Sequence, residues 1–122
     1  MMQAKVLIIE DDKIIQSAFA AILRGKVIIL SAFTIEQAEE LFESNPDIHI
    51  IAVDGEVPRG TPTISLVVKI RKTFTGPMIA ISNHPDNRAK LLRAGCDYET
   101  AKELLPSMLR EILSSQAMQK GG

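Results

Sequence analysis

At 122 residues, with 46% hydrophobic and 24% charged side chains, the chain is long enough to bury one core and too short for a second. Fourteen basic against fifteen acidic residues give a formal net charge of −1, which excludes the basic footprint that direct binding to a nucleic-acid backbone requires. Met1 to Lys5 leads straight into a short apolar run, and no stretch approaches the ~18 apolar residues of a membrane span, so a cytoplasmic protein with no membrane association is expected.

Aromatic residues make up 4% of the chain, so the core must be aliphatic. Lys5 to Ile9 reads as a first strand and ends in Glu10-Asp11-Asp12. The next helix carries Ile14, Ile15, Ala18, Phe19, Ile22 and Leu23 on one predicted apolar face and stops near Gly25. Val27 to Leu30 reads as strand two. Thr34 is placed to cap a helix with Ile35, Ala38, Leu41 and Phe42 on its apolar side, and Asn45-Pro46 ends it. Strand three, His49 to Val53, runs into Asp54. After a Gly- and Pro-rich loop from Gly55 to Pro62 comes a helix with Ile64, Val67, Val68 and Phe74. Gly76-Pro77 opens strand four at Met78 to Ile81, followed by a short helix over Asp86 to Ala94 that Gly95 terminates. A brief strand five spans Tyr98 to Ala101. Leu104, Leu105, Met108, Leu109, Ile112 and Leu113 then mark a last amphipathic helix, with Pro106 in its first turn and a frayed tail at Gly121-Gly122.

Five βα repeats predict an open parallel sheet with helices on both faces, because parallel strands require right-handed crossovers. Ligands of such sheets sit beyond the carboxyl ends of the strands. That rule gathers Glu10, Asp11, Asp54, Ser82 and the region of Lys102 on one rim. Taken singly, each has a bland explanation. Asp-Gly after a strand is by default a turn, acids before a helix are favoured by its dipole, and Ser-Asn-His-Pro is a turn or cap. Capping accounts for one acid, which we assign to Asp12, and leaves Glu10, Asp11 and Asp54 crowded together. Like charges at that density call for a divalent cation. The lone Cys96 reads as a small buried hydrophobe. His49 and His84 lack ligand spacing and read as structural or surface residues.

In this order the residues resemble the receiver domains of two-component response regulators, over Lys5 to about Leu113. The resemblance rests on Lys-Val-Leu-Ile-Ile-Glu-Asp-Asp at strand one, Asp54 with Pro58 four residues on, Ser82 after strand four, and Ala94-Gly95 followed by Lys102. It implies a flavodoxin-like α/β fold with five parallel strands in the order 2-1-3-4-5 and five helices on both faces. A single domain over residues 1–122 is expected, with its core over about 4–116. It also implies that Asp54 accepts a phosphoryl group from a histidine kinase or histidine phosphotransfer protein, as a signalling domain rather than an enzyme. Magnesium is the implied cofactor, held by Asp11 and Asp54, by Glu10 directly or through water, and by the backbone carbonyl of Glu56. Ser82 and Lys102 would hold phosphoryl oxygens as donors. No output domain follows in this sequence, so an unknown downstream protein is expected to read the signal. A monomer is expected, with the helix 4, strand 5 and helix 5 face available for pairing.

The sequence departs from the family pattern mainly in its last third. Lys102 is followed by Glu103 instead of proline, and the aromatic switch position three residues before the lysine holds Glu99, with Tyr98 one place earlier. If strand five keeps the lysine in register, Glu99 takes the inward slot; if it slips by one, Tyr98 recovers it and Lys102 moves. Ser82 to Gly95 is about two residues shorter than the pattern, and Arg59-Gly60-Thr61-Pro62 is unusual. These departures keep open a second reading, a receiver-like adaptor that binds a kinase or another receiver without phosphate. A flavodoxin is excluded because Glu10-Asp11-Asp12 would repel the flavin phosphate. An aspartate-nucleophile phosphatase is excluded because there is no length for a covering domain.

Overall fold

Alternation of side chains along each strand gives the sheet two apolar faces, and each face has its own set of helices. The computed structural model describes residues 3–121, and side chains for residues 3–116. Among them run β1 (Lys5–Ile9), α1 (Lys13–Leu23), β2 (Ile28–Ala32), α2 (Ile35–Ser44), β3 (Ile50–Val53), α3 (Ile64–Arg71), β4 (Met78–Ile81), α4 (Pro85–Ala94), β5 (Tyr98–Thr100) and α5 (Leu105–Gly121). All strand pairs are parallel and the order is β2-β1-β3-β4-β5, the flavodoxin-like arrangement expected from the sequence.

Val6, Ile8, Ile50, Ala52, Ile79 and Ile81 turn to one side and meet Phe19 and Leu23 of α1 with Leu105, Leu109 and Ile112 of α5. Leu7, Ile9, Ile51, Val53, Met78 and Ala80 turn to the other, where Ala38 of α2, Leu66, Val67 and Ile70 of α3, and Leu91 of α4 cover them. β1, β3 and β4 are covered on both sides, which is why their sequences are continuous apolar runs with no polar alternation.

Helix boundaries follow local chemistry. Asp12 caps α1, its Oδ1 accepting from the N–H groups of Ile14 and Ile15 at 2.8 and 3.2 Å, and Thr34 Oγ1 accepts from Gln37 in α2. Gly95 ends α4 at φ +141°, in a conformation an L side chain rarely adopts. Pro106 falls in the first turn of α5, as expected.

Several expectations need correction. The buried stripe of α1 is Gln16, Phe19 and Leu23, while Ile14 is 81% exposed and Ala18 and Ile22 also face outward. Eight apolar residues in eleven positions span more than one face, so periodicity alone could not find the narrower stripe. Val68 of α3 and Leu104 are likewise exposed. The backbone of α5 continues to Gly121 where a frayed tail was expected, and Gly122 lies outside the described residues. β2 begins one residue later than predicted and extends to Ala32.

Candidate functional site

Parallel pairing brings the acids together. Ile9 lies opposite Val53, and the N–H of Asp54 donates to the carbonyl of Ile9 at 3.0 Å, so the β1–β3 ladder runs one residue past the strand end. Glu10 is likewise held by its N–H on the carbonyl of Ala32 at 3.0 Å. Glu10, Asp11 and Asp54 thus each offer a carboxylate oxygen, all within 4.8 Å of one another. The amide of Gln16 reinforces this edge: its Nε2 donates to the carbonyls of Ile8, Glu10 and Ala32 at 2.9, 3.1 and 3.3 Å.

Lys102 lies just past β5, at the start of a 3-10 turn over Lys102–Leu104. Its Nζ is 2.9 Å from Glu10 Oε2 and 3.2 Å from Asp54 Oδ2. One ammonium is therefore shared between two carboxylates. Glu10 is 1% exposed, and burial pushes its carboxyl up to about 7, a rise that Lys102 limits and the nearby Asp54 charge reinforces. Burial alone would pull the Lys102 ammonium down, yet Glu10 and Asp54 together hold it above its usual value.

The β3–α3 loop closes the near side of this cleft. Asp54 Oδ1 accepts from Gly55 N–H at 2.7 Å, and Thr63 Oγ1 donates to the carbonyl of Asp54. That bond explains why Thr63, although at the N-cap of α3, makes no side-chain cap. Further on, Arg59 N–H donates to Asp11 Oδ2 and Gly60 N–H to Glu56 Oε2, both at 3.2 Å, and Glu56 bridges Pro62. The Val57–Pro58 peptide is cis. A Cβ on Gly55 would lie 2.8 Å from Asn87 Cβ, so this position admits no side chain without a shift of α4.

On the far side, Ser82 lies beyond β4 and is 1% exposed; its Oγ accepts from His84 N–H at 3.1 Å. It thus makes the turn contact weighed in the sequence while also lining the cleft. Asn83 Oδ1 accepts from Lys102 N–H at 3.1 Å and joins the β4–α4 turn to the lysine. The cleft has a volume of about 320 Å³ and is bounded by Glu10, Asp11, Asp12, Asp54, Glu56, Arg59, Ser82, Asn83, His84, Asn87 and Lys102. All the residues singled out from the sequence, Glu10, Asp11, Asp54, Glu56, Ser82 and Lys102, border it.

The structure also resolves the strand-five alternatives. Ala80 pairs with Glu99 and Ile81 with Thr100, and the lysine reaches Asp54, so Lys102 keeps its register. Glu99 nevertheless does not point inward as expected. Its side chain is 47% exposed and pairs with Arg88 Nε at 3.2 Å, because the cation of α4 lies outside β5. Tyr98 is exposed as well. Gln16, Thr63 and Arg88 were not singled out from the sequence. Gln16 left a trace there, since an amide at the spacing of Phe19 and Leu23 interrupts an apolar stripe, whereas Thr63 and Arg88 act on main-chain carbonyls and leave none.

Elsewhere the bland readings hold. His49 Nδ1 accepts from Lys5 N–H at 3.1 Å, a structural role. Cys96 is buried, and that burial pushes its thiol up to about 12, leaving little thiolate. Among the described residues, no helix is long and apolar enough to cross a membrane.

No protein-family model matches the chain, and no curated protein does either. Solved structures do match. A two-component response regulator from Clostridium difficile is 26% identical, with 92% of this chain and 97% of that one covered and a TM-score of 0.80. The receiver domain of a Saccharomyces cerevisiae response regulator, solved with a histidine phosphotransfer signalling protein, is 24% identical over 97% of this chain and 92% of that one, with a TM-score of 0.76. A response regulator from Burkholderia pseudomallei, solved with a phosphorylated aspartic acid, a calcium ion and citrate, is 17% identical over 96% of this chain and 73% of that one, with a TM-score of 0.77.

Proposed function

This chain has the fold of a response-regulator receiver domain, and on that premise we propose that it accepts a phosphoryl group on Asp54 from a phosphohistidine donor and signals through altered protein binding. The observation that carries the reading is the convergence on Asp54. Its Oδ2 lies 3.2 Å from Lys102 Nζ, and Glu10 and Asp11 offer oxygens within 4.8 Å. Capping and turn formation do not require this convergence.

The donor set fits magnesium. It consists of hard carboxylate oxygens on a fixed rim, one of them, Glu10 Oε2, buried with the Lys102 contact alone. Asp11 and Asp54 would hold the ion, with Glu10 directly or through water and the carbonyl of Glu56. When bound, magnesium supplies positive charge against the acceptor and the phosphoryl group together. The chain's own groups do the rest. An Asp54 oxygen attacks phosphorus, the O–P bond forms as the donor's N–P bond breaks, and the departing imidazole nitrogen takes up the electron pair. Lys102 Nζ then turns from Asp54 to a phosphoryl oxygen, and Ser82 Oγ donates to another. Gly55 N–H holds the spectator oxygen of Asp54, which orients the nucleophile.

A histidine kinase or histidine phosphotransfer protein is the donor this reading assigns, in keeping with the similar receiver domain solved with a histidine phosphotransfer protein. Ile14, 81% exposed beside the Asp12 cap, offers such a donor an apolar landing at the rim. A receiver that has done its transfer is a signalling domain, and its output is read by a downstream protein.

The test is incubation with acetyl phosphate and magnesium, followed by intact-protein mass measurement. One phosphoryl group should be gained as a base-labile acyl phosphate and should be absent in Asp54→Asn. Wild-type protein that stays unmodified with magnesium present, and with a phosphorylated histidine phosphotransfer protein as donor, returns the chain to the adaptor reading.

A further inference from the structure

The β4–α4 turn, which presents Ser82 to the cleft, is tied to Lys102 through Asn83 and to α4 through Arg88, and of the two Arg88 alone bonds Ser82 itself. Arg88 Nη1 donates to the main-chain carbonyl of Ser82 at 2.6 Å, a charge-assisted bond to a residue that is 1% exposed. The same guanidinium donates through Nε to Glu99 Oε1 at 3.2 Å. The last β4–β5 ladder pair is Ile81 with Thr100, so Ser82 stands beyond the strand and takes its position from such side-chain bonds. Arg88 itself is fixed in the first turns of α4, where its N–H bonds the carbonyl of His84.

Resting on the phosphoacceptor reading, we infer that Arg88 is a positioning residue for the phosphoryl group, holding Ser82 at the cleft and anchored in turn by Glu99. The bland alternative is an ordinary surface ion pair. Glu99 is nearly half exposed, so the Arg88–Glu99 contact by itself contributes little to stability. The bond to the Ser82 carbonyl is the short one, and it lies in the partly buried part of the contact. Its loss acts on where the hydroxyl points, not on whether the domain folds. The carboxylates that would hold the cation follow β1 and β3 and share the cleft with this turn, but none of them bonds Ser82 or Arg88, so cation affinity and phosphoryl affinity separate. Because the arm ends on β5, a partner that engages Glu99 from outside would shift the affinity of the cleft for the phosphoryl group, and the converse follows by linkage.

Trifluoroberyllate, a tetrahedral phosphoryl mimic, is titrated at saturating magnesium into wild type, Arg88→Ala, Arg88→Lys, Glu99→Gln, Ser82→Ala and the double variant Ser82→Ala/Arg88→Ala, and magnesium alone is titrated in parallel. Arg88→Ala should weaken trifluoroberyllate about tenfold, the scale of one charge-assisted bond, and leave magnesium affinity within about twofold of wild type. Arg88→Lys, which keeps the charge but not the two-acceptor fork, should be intermediate, and Glu99→Gln should lose less than Arg88→Ala. The double variant should bind no more weakly than Ser82→Ala alone, because both changes remove one function. The inference is overturned if Arg88→Ala and Arg88→Lys bind trifluoroberyllate as wild type does, if magnesium and trifluoroberyllate weaken equally, or if the two substitutions add. Wild type that binds magnesium but no trifluoroberyllate refutes the phosphoacceptor reading, and this inference falls with it. Sound wild type with unaffected variants refutes the role of Arg88 alone.

Discussion

The buried Glu10 carboxyl links proton binding, magnesium binding and stability. Its carboxyl is raised from 4.5 to about 7 in the folded chain, chiefly by burial. Between those values the folded state holds a proton that the unfolded state has released, so stability falls as pH rises. The contribution is fully present below about pH 4.5 and gone above about pH 7, with a ceiling of about 3 kcal/mol. In chelator, the melting temperature of wild type should therefore fall between pH 5 and pH 8 relative to Glu10→Gln, by up to about 10 °C for a chain of this size. Magnesium must displace the same proton when Glu10 takes part in its site. Its dissociation constant should rise about twenty-fivefold from pH 7.5 to pH 5.5. Titration calorimetry in two buffers of different ionisation enthalpy should show about one proton released per ion near pH 6, and Glu10→Gln should show neither effect. Magnesium affinity that is flat across this range, with no proton release, would refute the placing of a neutralised Glu10 in the cation site.

Other expectations follow from the same contacts. Lys102→Met leaves Glu10 buried without its cation, so apo stability at pH 8 should drop by about 3 kcal/mol and recover partly at pH 5.5, as urea melts can check. Asp54→Asn removes a repulsive neighbour of Glu10; in chelator at pH 8 it should melt higher than wild type, gain less from added magnesium, and show a lower Glu10 pKa by NMR titration. Asp12→Ala deletes both cap bonds of α1 and should cost about 1 kcal/mol in denaturant melts without changing phosphoryl transfer to Asp54. Gly55→Ala should slow that transfer, because the added methyl collides with Asn87 and displaces the loop beside the acceptor.

The alternation of strands and helices was legible because doubly covered strands are apolar throughout and each is followed by a helical period, whereas the strand order came with the family resemblance. The acids were legible for a related reason: in a parallel sheet every strand's carboxyl end lies on one rim, and the pairing of β1 with β3 brings Glu10 and Asp54 together on it. What escaped was set by contacts that a search for apolar periodicity passes over. Gln16 is buried through three main-chain carbonyls, where a count of apolar spacings sees only a polar residue. The direction of Glu99 was decided by Arg88, eleven positions earlier on another element, and strand alternation does not report on such a partner. Ile14 and Ile22 read as core because an α-helix with few charges gives the pattern no contrast.

The opposite end of the sheet carries none of this chemistry, and its turns are unequal. Arg71 ties three of the carbonyls there, those of Phe74, Gly76 and Gly95, and also bonds Asp97, so cutting into the α3–β4 or α4–β5 connection would undo several bonds at once. The Gly25 turn between α1 and β2 stands apart from that knot. Gly25 holds φ +77°, where a side chain would be strained, but the flanking Arg24 and Lys26 are exposed and open to attachment. A fluorophore, an epitope or an inserted module placed there would be a sheet's length from Asp54, which makes it the natural point at which to attach a reporter without touching the reaction.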